Sequence, residues 1–152
     1  MRSSTSSSDP SSPVKILLVD DHSMGLAARR SVLQELGYKI TTAGSASEAL
    51  ETFSGGHFDL LVTDYRMPRM NGIELIQRIR KQKEELPVIL LSGVADTLGL
   101  TESNTGADVV IQKSANEVNH LVRAVTRLLK KKTPRKPPVR VQAAPAARRK
   151  TV

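Results

Sequence analysis

Short apolar runs alternate along the chain with longer segments of helical periodicity. Val14 to Val19 (VKILLV) is almost wholly apolar, the pattern of a strand buried on both faces. Leu26 to Leu36 sets Leu26, Ala27, Leu33 and Leu36 on or near one helical face, and Gly37 is a suitable stop. Tyr38 to Ala43 predicts a second short strand. Ser45-Ala46-Ser47-Glu48 reads as a capping box opening a helix through Phe53. Phe58 to Thr63 (FDLLVT) predicts a third buried strand. Asn71-Gly72 then precedes an amphipathic helix in which Ile73, Ile76 and Ile79 recur. The run from Leu86 (LPVILLS) predicts a fourth strand, and Val109 to Gln112 a short fifth. Between these two, Ala95 to Thr105 is the poorest helix, because Gly99 and Asn104 lower its propensity. Ser114 to Leu129 closes the pattern with Val118, Leu121, Val122, Val125, Leu128 and Leu129 on one stripe. Ser114 and Glu117 read as a second capping box.

Five strand–helix units imply an α/β fold: a doubly wound, five-stranded parallel sheet with five helices and right-handed crossovers. Such sheets place their functional crevice outside the carboxyl ends of the strands. The first strand runs into Asp20-Asp21, the third ends at Asp64, the fourth at Ser92 and the fifth just before Lys113. The second ends without a reactive side chain, as suits an edge strand. Three carboxylates gathered in one crevice repel each other and call for a cation. Oxygen donors without His or Cys partners suit Mg²⁺ better than zinc. A carboxylate beside Mg²⁺ can act as a nucleophile toward a phosphoryl group. Ser92 and Lys113 are placed to bind the transferred oxygens. No Gly-rich phosphate loop is present, so a nucleotide-binding reading lacks its main part.

Charge divides the chain into three. Residues 14–129 carry 13 basic and 14 acidic side chains, residues 1–13 balance, and residues 130–152 carry nine basic residues and no acid. The net +8 therefore belongs to a tail that also holds four of the eight prolines. That tail and the Ser-rich head (1–13) have too little apolar surface to offset chain entropy and are expected to be disordered. The head lacks the apolar stretch of a secretory signal. No run approaches the roughly 20 apolar residues of a membrane span, and the zero Cys excludes disulfides and thiolate metal sites. A cytoplasmic location is the expectation. Four aromatic residues argue against base-stacking surfaces.

VDDH at 19–22, TDYRMPRMNG at 63–72, LLSG at 90–93, GAD at 106–108 and Lys113 together resemble the receiver domain of two-component response regulators, over residues 14–129. The resemblance implies the flavodoxin-like strand order 2-1-3-4-5. It implies Asp64 as phosphoacceptor, taking its phosphoryl group from a sensor histidine kinase or phosphotransfer protein. It implies Asp20, Asp21, Asp64 and the backbone carbonyl of Arg66 around Mg²⁺, with Ser92 as switch hydroxyl and Lys113 as phosphoryl-binding cation. Arg66 and Val94 fall where the family tunes dephosphorylation. The downstream protein contact would use the fifth strand and the last two helices.

Two positions depart from the family. Val110 stands where an aromatic residue usually rotates inward with the switch hydroxyl, which puts the relay to the output face in question. Ser114 stands where Pro usually follows the lysine, so a trans Lys113-Ser114 bond is expected. No output domain is recognisable after the core, so a stand-alone receiver, not an enzyme on metabolites, is expected. Two alternatives stand beside it: a nucleic-acid-binding regulator acting through its basic tail, and a degenerate receiver used as a constitutive docking module.

Overall fold

Runs of Leu, Ile and Val bounded by loop residues become five strands because only a sheet covered on both faces buries every side chain in them. In a computed structural model, residues 12–132 are described. The strands are β1 (Lys15–Val19), β2 (Lys39–Ala43), β3 (Leu60–Asp64), β4 (Val88–Ser92) and β5 (Val109–Gln112). The helices are α1 (Ser23–Glu35), α2 (Ala46–Ser54), α3 (Gly72–Gln82), α4 (Ala95–Leu98), α5 (Glu102–Thr105) and α6 (Glu117–Lys132). All strand pairs are parallel, in the order β2-β1-β3-β4-β5. The expected fold and strand order are present. Residues 1–11 and 133–152 lie outside the described residues, and with them the readings of the Ser-rich head and of most of the basic tail.

Successive strand side chains face opposite sides, so one sheet feeds two cores. Leu17, Val19, Leu61, Val88 and Leu90 pack beneath α2 and α3, against Ala49, Phe53, Leu75, Ile76 and Ile79. Ile16, Leu18, Leu60, Val62, Ile89 and Leu91 face the other way, against Leu33 of α1 and Leu121, Val125 and Leu128 of α6. Most of these side chains are fully buried, each worth about 1.5–3 kcal/mol relative to exposure.

Six helical segments replace the expected five. The stretch over 95–105 breaks into α4 and α5 because Gly99 takes a left-handed conformation (φ 65°) that ends α4 after one turn. Thr101 then caps α5, accepting from Asn104 N while the Asn104 side chain accepts from Thr101 N. Two capping expectations are corrected. Ser45 does accept from Glu48 N (3.1 Å), but the Glu48 carboxylate reaches Gly44 N (2.8 Å) rather than Ser45 N. Ser114 does not cap α6: its hydroxyl accepts from Asn116 N (3.3 Å), and α6 starts only at Glu117, whose carboxylate is drawn to Arg29. The complete long-helix capping box is at α3, between Asn71 and Glu74. Helix α1 starts at Ser23, earlier than expected. It buries Arg29 and Leu33, while Leu36 is left exposed. Among the described residues no peptide bond is cis, so Lys113-Ser114 is trans as expected.

Candidate functional site

Parallel register brings the reactive residues to one edge. Val19 stands opposite Thr63, Asp64 opposite Leu91, and Ser92 opposite Gln112. Asp20, Asp64, Ser92 and Lys113 therefore leave neighbouring strands at nearly the same height. Backbone bonds hold these ends: Asp20 N donates to Ala43 O (3.2 Å), Tyr65 N to Leu91 O (2.8 Å) and Lys113 N to Ser92 O (2.9 Å).

Asp64 is 3% exposed. Lys113 Nζ ion-pairs with its enclosed Oδ1. Burial pushes the Asp64 carboxyl above its ordinary range. Lys113 pulls it down and the Asp20 charge pushes it up, and the net is upward. Asp20 goes the other way. Burial alone raises it, but the His22 N–H on Oδ1 (3.0 Å), the Arg29 guanidinium on Oδ2 (2.5 Å) and the Lys113 charge together outweigh burial and hold it low. Asp21 is more accessible, and His22 Nδ1 lies 3.2 Å from its Oδ1 and 3.4 Å from that of Asp20.

Ser92 is buried, and its hydroxyl accepts from Val94 N (3.0 Å), closing the turn after β4. The acceptor role leaves the hydroxyl proton to donate elsewhere. Asp21, Asp64, Ser92 and Lys113 line a cleft of about 480 Å³, walled by Arg66, Met67, Pro68 and Val94. Arg66 is exposed at its mouth. Asp20 lies beneath the cleft rather than on its wall. The loop from Tyr65 to Gly72 is closed by Gly72 N donating to Tyr65 O (2.8 Å). It turns at Arg69, whose left-handed backbone (φ 70°) is uncommon for a residue with a Cβ.

This set fits a hard divalent cation. Three carboxylates face two cationic side chains, Lys113 and Arg29, leaving a net negative site. Asp20 and Asp21 bring a carboxylate oxygen each within 4.8 Å of one another, with a His22 ring nitrogen as near. Oxygen donors of this kind favour Mg²⁺.

Val110 lies away from the cleft. It is half-buried on β5, its N–H donates to Glu102 Oε2 (3.1 Å), and its side chain lines a larger groove of about 930 Å³ bounded by α4, β5 and α6. That groove contains none of the clustered carboxylates. Arg29 escapes a reading of the sequence, where it counts only as a charge. The available signal is the spacing of Gly25, Arg29 and Leu33, four residues apart, which puts a cation on the inward stripe of α1. No described helix is long and apolar enough to cross a membrane.

A family model described as the response regulator receiver domain matches residues 16–126. The chain is 34% identical over 119 residues to the alkaline phosphatase synthesis transcriptional regulatory protein PhoP of Bacillus subtilis, covering 74% of this chain and 48% of PhoP. It is 31% identical over 109 residues to the autoinducer 1 sensor kinase/phosphatase LuxN of Vibrio harveyi, covering 70% of this chain and 13% of LuxN. The chain thus spans half or less of these two relatives. Among solved structures it resembles the response regulator protein TrrA from Thermotoga maritima in complex with Mg²⁺-BeF, with TM-score 0.69 and 36% identity, over 76% of this chain and 98% of that one. It also resembles the Vibrio cholerae chemotaxis protein CheY4, with TM-score 0.70 and 27% identity, over 77% and 99%.

Proposed function

The chain belongs to the response regulator receiver domain family, and from that premise we propose that it accepts a phosphoryl group on Asp64 and signals by phosphorylation-dependent protein contacts. The observation that carries this reading is the buried Asp64 carboxylate at the carboxyl edge of the sheet, ion-paired with Lys113 and lining one cleft with Asp21 and Ser92. An Asp64 oxygen forms the new P–O bond as the donor's bond to phosphorus breaks. With a phosphohistidine donor, the imidazole nitrogen keeps that electron pair. Asp21, Asp64 and the Arg66 carbonyl would hold Mg²⁺, with Asp20 behind them. Held there, Mg²⁺ would supply charge compensation for the transferring oxygens.

Lys113 stays as the cation for one phosphoryl oxygen, and Ser92 has a hydroxyl proton to donate to another. Phosphorylation adds about −1.5 to −2 charge at this edge. Drawing Ser92 toward that charge would loosen its turn with Val94, the residue that precedes α4. The change then reaches the groove of α4, β5 and α6 where Val110 sits. That groove is the face we assign to the downstream protein. Arg66 and Val94 wall the mouth of the cleft, which suits a role in admitting the water that hydrolyses the acyl phosphate. The phosphodonor is a sensor histidine kinase or phosphotransfer protein. LuxN, a sensor kinase, is among the relatives.

Intact-protein mass after incubation with acetyl phosphate, in Mg²⁺ or in EDTA, tests the reading. The expected result is a gain of one phosphoryl group in Mg²⁺ only. No gain with acetyl phosphate, and none with a phosphorylated histidine phosphotransfer domain, overturns it.

A further inference from the structure

Helix α1 buries a guanidinium. Arg29 is 6% exposed, a rare state for a charged side chain unless it is paired. It is paired twice. One terminal nitrogen, Nη1, donates to Asp20 Oδ2 (2.5 Å), and Nε donates to Glu117 Oε2 (2.6 Å). Asp20 belongs to the acidic site, and Glu117 is the first residue of α6. Gly25 leaves the room: a Cβ there would lie 3.1 Å from Asp20 Oδ2 and 3.3 Å from Arg29 Nη1. One planar cation thus spans from the carboxylate cluster to the start of the last helix. Lysine, a point charge, cannot make both contacts in this geometry.

We propose that Arg29 is a built-in counter-cation that, by neutralising Asp20, weakens Mg²⁺ binding at the acidic site and couples that binding to the start of α6 through Glu117. This rests on the Mg²⁺ site of the reading above. Asp20 is buried, and its two oxygens are taken by Arg29 and by the His22 N–H. A divalent ion drawing on Asp20 competes with the fixed charge already there. Glu117 competes in the opposite sense, because it pulls the same guanidinium away from Asp20. Removing Arg29 and removing the Glu117 charge should therefore move Mg²⁺ affinity in opposite directions. Coupling is reciprocal, so Mg²⁺ binding should shift Arg29 toward Glu117 and protect the first turn of α6.

Isothermal titration of Mg²⁺ at pH 8 into the full chain gives the test. Arg29→Met is expected to bind Mg²⁺ roughly tenfold more tightly, as for the loss of one close like charge in a partly screened site. Glu117→Gln, which keeps both the cation and the shape, is expected to bind several-fold more weakly. Arg29→Lys should stay near the wild-type affinity. Hydrogen exchange at the first turn of α6 should slow on Mg²⁺ addition in the wild type but not in Arg29→Lys. Loss of packing alone would shift both Arg29→Met and Glu117→Gln the same way. If Arg29→Met is poorly folded, Glu117→Gln and Arg29→Lys still decide. Wild-type binding with no opposed shift overturns the Arg29 inference alone. No Mg²⁺ binding by the wild type overturns both it and the metal site.

Discussion

Asp64→Asn is expected to take up no phosphoryl group and, in metal-free buffer near neutral pH, to melt several degrees higher than the wild type. The first effect follows from chemistry, since an amide is not a nucleophile toward phosphorus under these conditions. The second follows from the electrostatics of the cleft. Ionised Asp64 is nearly buried, beside the Asp20 carboxylate, and burial holds its carboxyl above the ordinary range. Asparagine keeps the shape and removes the charge. Lys113 loses its partner, but its side chain is 27% exposed and can turn to water. A gain of about 1–2 kcal/mol is expected, the scale of an imperfectly satisfied buried polar group.

The sign of the pH dependence is fixed by the direction of the shift. Unfolded Asp loses its proton near pH 3.9, whereas folded Asp64 holds its proton to higher pH. Below the unfolded value both states are protonated and the variant has no advantage. The advantage grows between the two values and levels off above the folded one. Melting curves of both proteins from pH 3 to 8 in EDTA, repeated in Mg²⁺, check this. The gap should narrow in Mg²⁺. A variant equal to or less stable than the wild type at pH 7 in EDTA, or a gap that does not change with pH, removes this account of the site.

Gly72→Ala is the second large effect, and it acts through sterics. Gly72 begins α3 at the end of the loop that follows Asp64. A methyl group there would overlap the Asp64 backbone carbonyl, and would come within 2.9 Å of Leu90 Cδ1 and 3.1 Å of Tyr65 Cα. Two of these three neighbours are backbone, so no rotamer change relieves them. Overpacking of this kind costs about 3 kcal/mol, read as a drop of roughly 10 °C in Tm for a domain of this size. The displaced Asp64 carbonyl also moves the proposed acceptor, so the folded fraction should phosphorylate more slowly. Gly93→Ala is the control: nothing lies within 4 Å of a Cβ there, and its Tm should stay within a degree or two of wild type. Equal melting of the Gly72 and Gly93 variants would show that the α3 start is more yielding than the packing implies.

Local signals survive the step from sequence to structure best. Strand runs such as VKILLV and LPVILLS are legible because burial on both faces demands apolar residues at every position. The acidic pair, Asp64, Ser92 and Lys113 are legible because each lies directly at a strand end, and parallel register brings those ends to one edge. The helix break at Gly99 is half visible. Its low propensity shows in the sequence, but the split of α4 from α5 also depends on the Thr101 cap that restarts the helix two residues later.

Sequence patterning by itself determined the strand order along the chain, the parallel sheet and the residues at the strand ends, since each depends on neighbours within a turn or along a strand. Only the tertiary structure decided where long side chains spend their charge. Glu117 sits at capping-box spacing from Ser114, yet its carboxylate goes to Arg29, 88 residues away in sequence. Arg29 resembles any surface arginine until folding brings α1 and α6 onto the same face of the sheet. A buried guanidinium must find anions wherever the fold supplies them, and no local pattern records which carboxylates those will be.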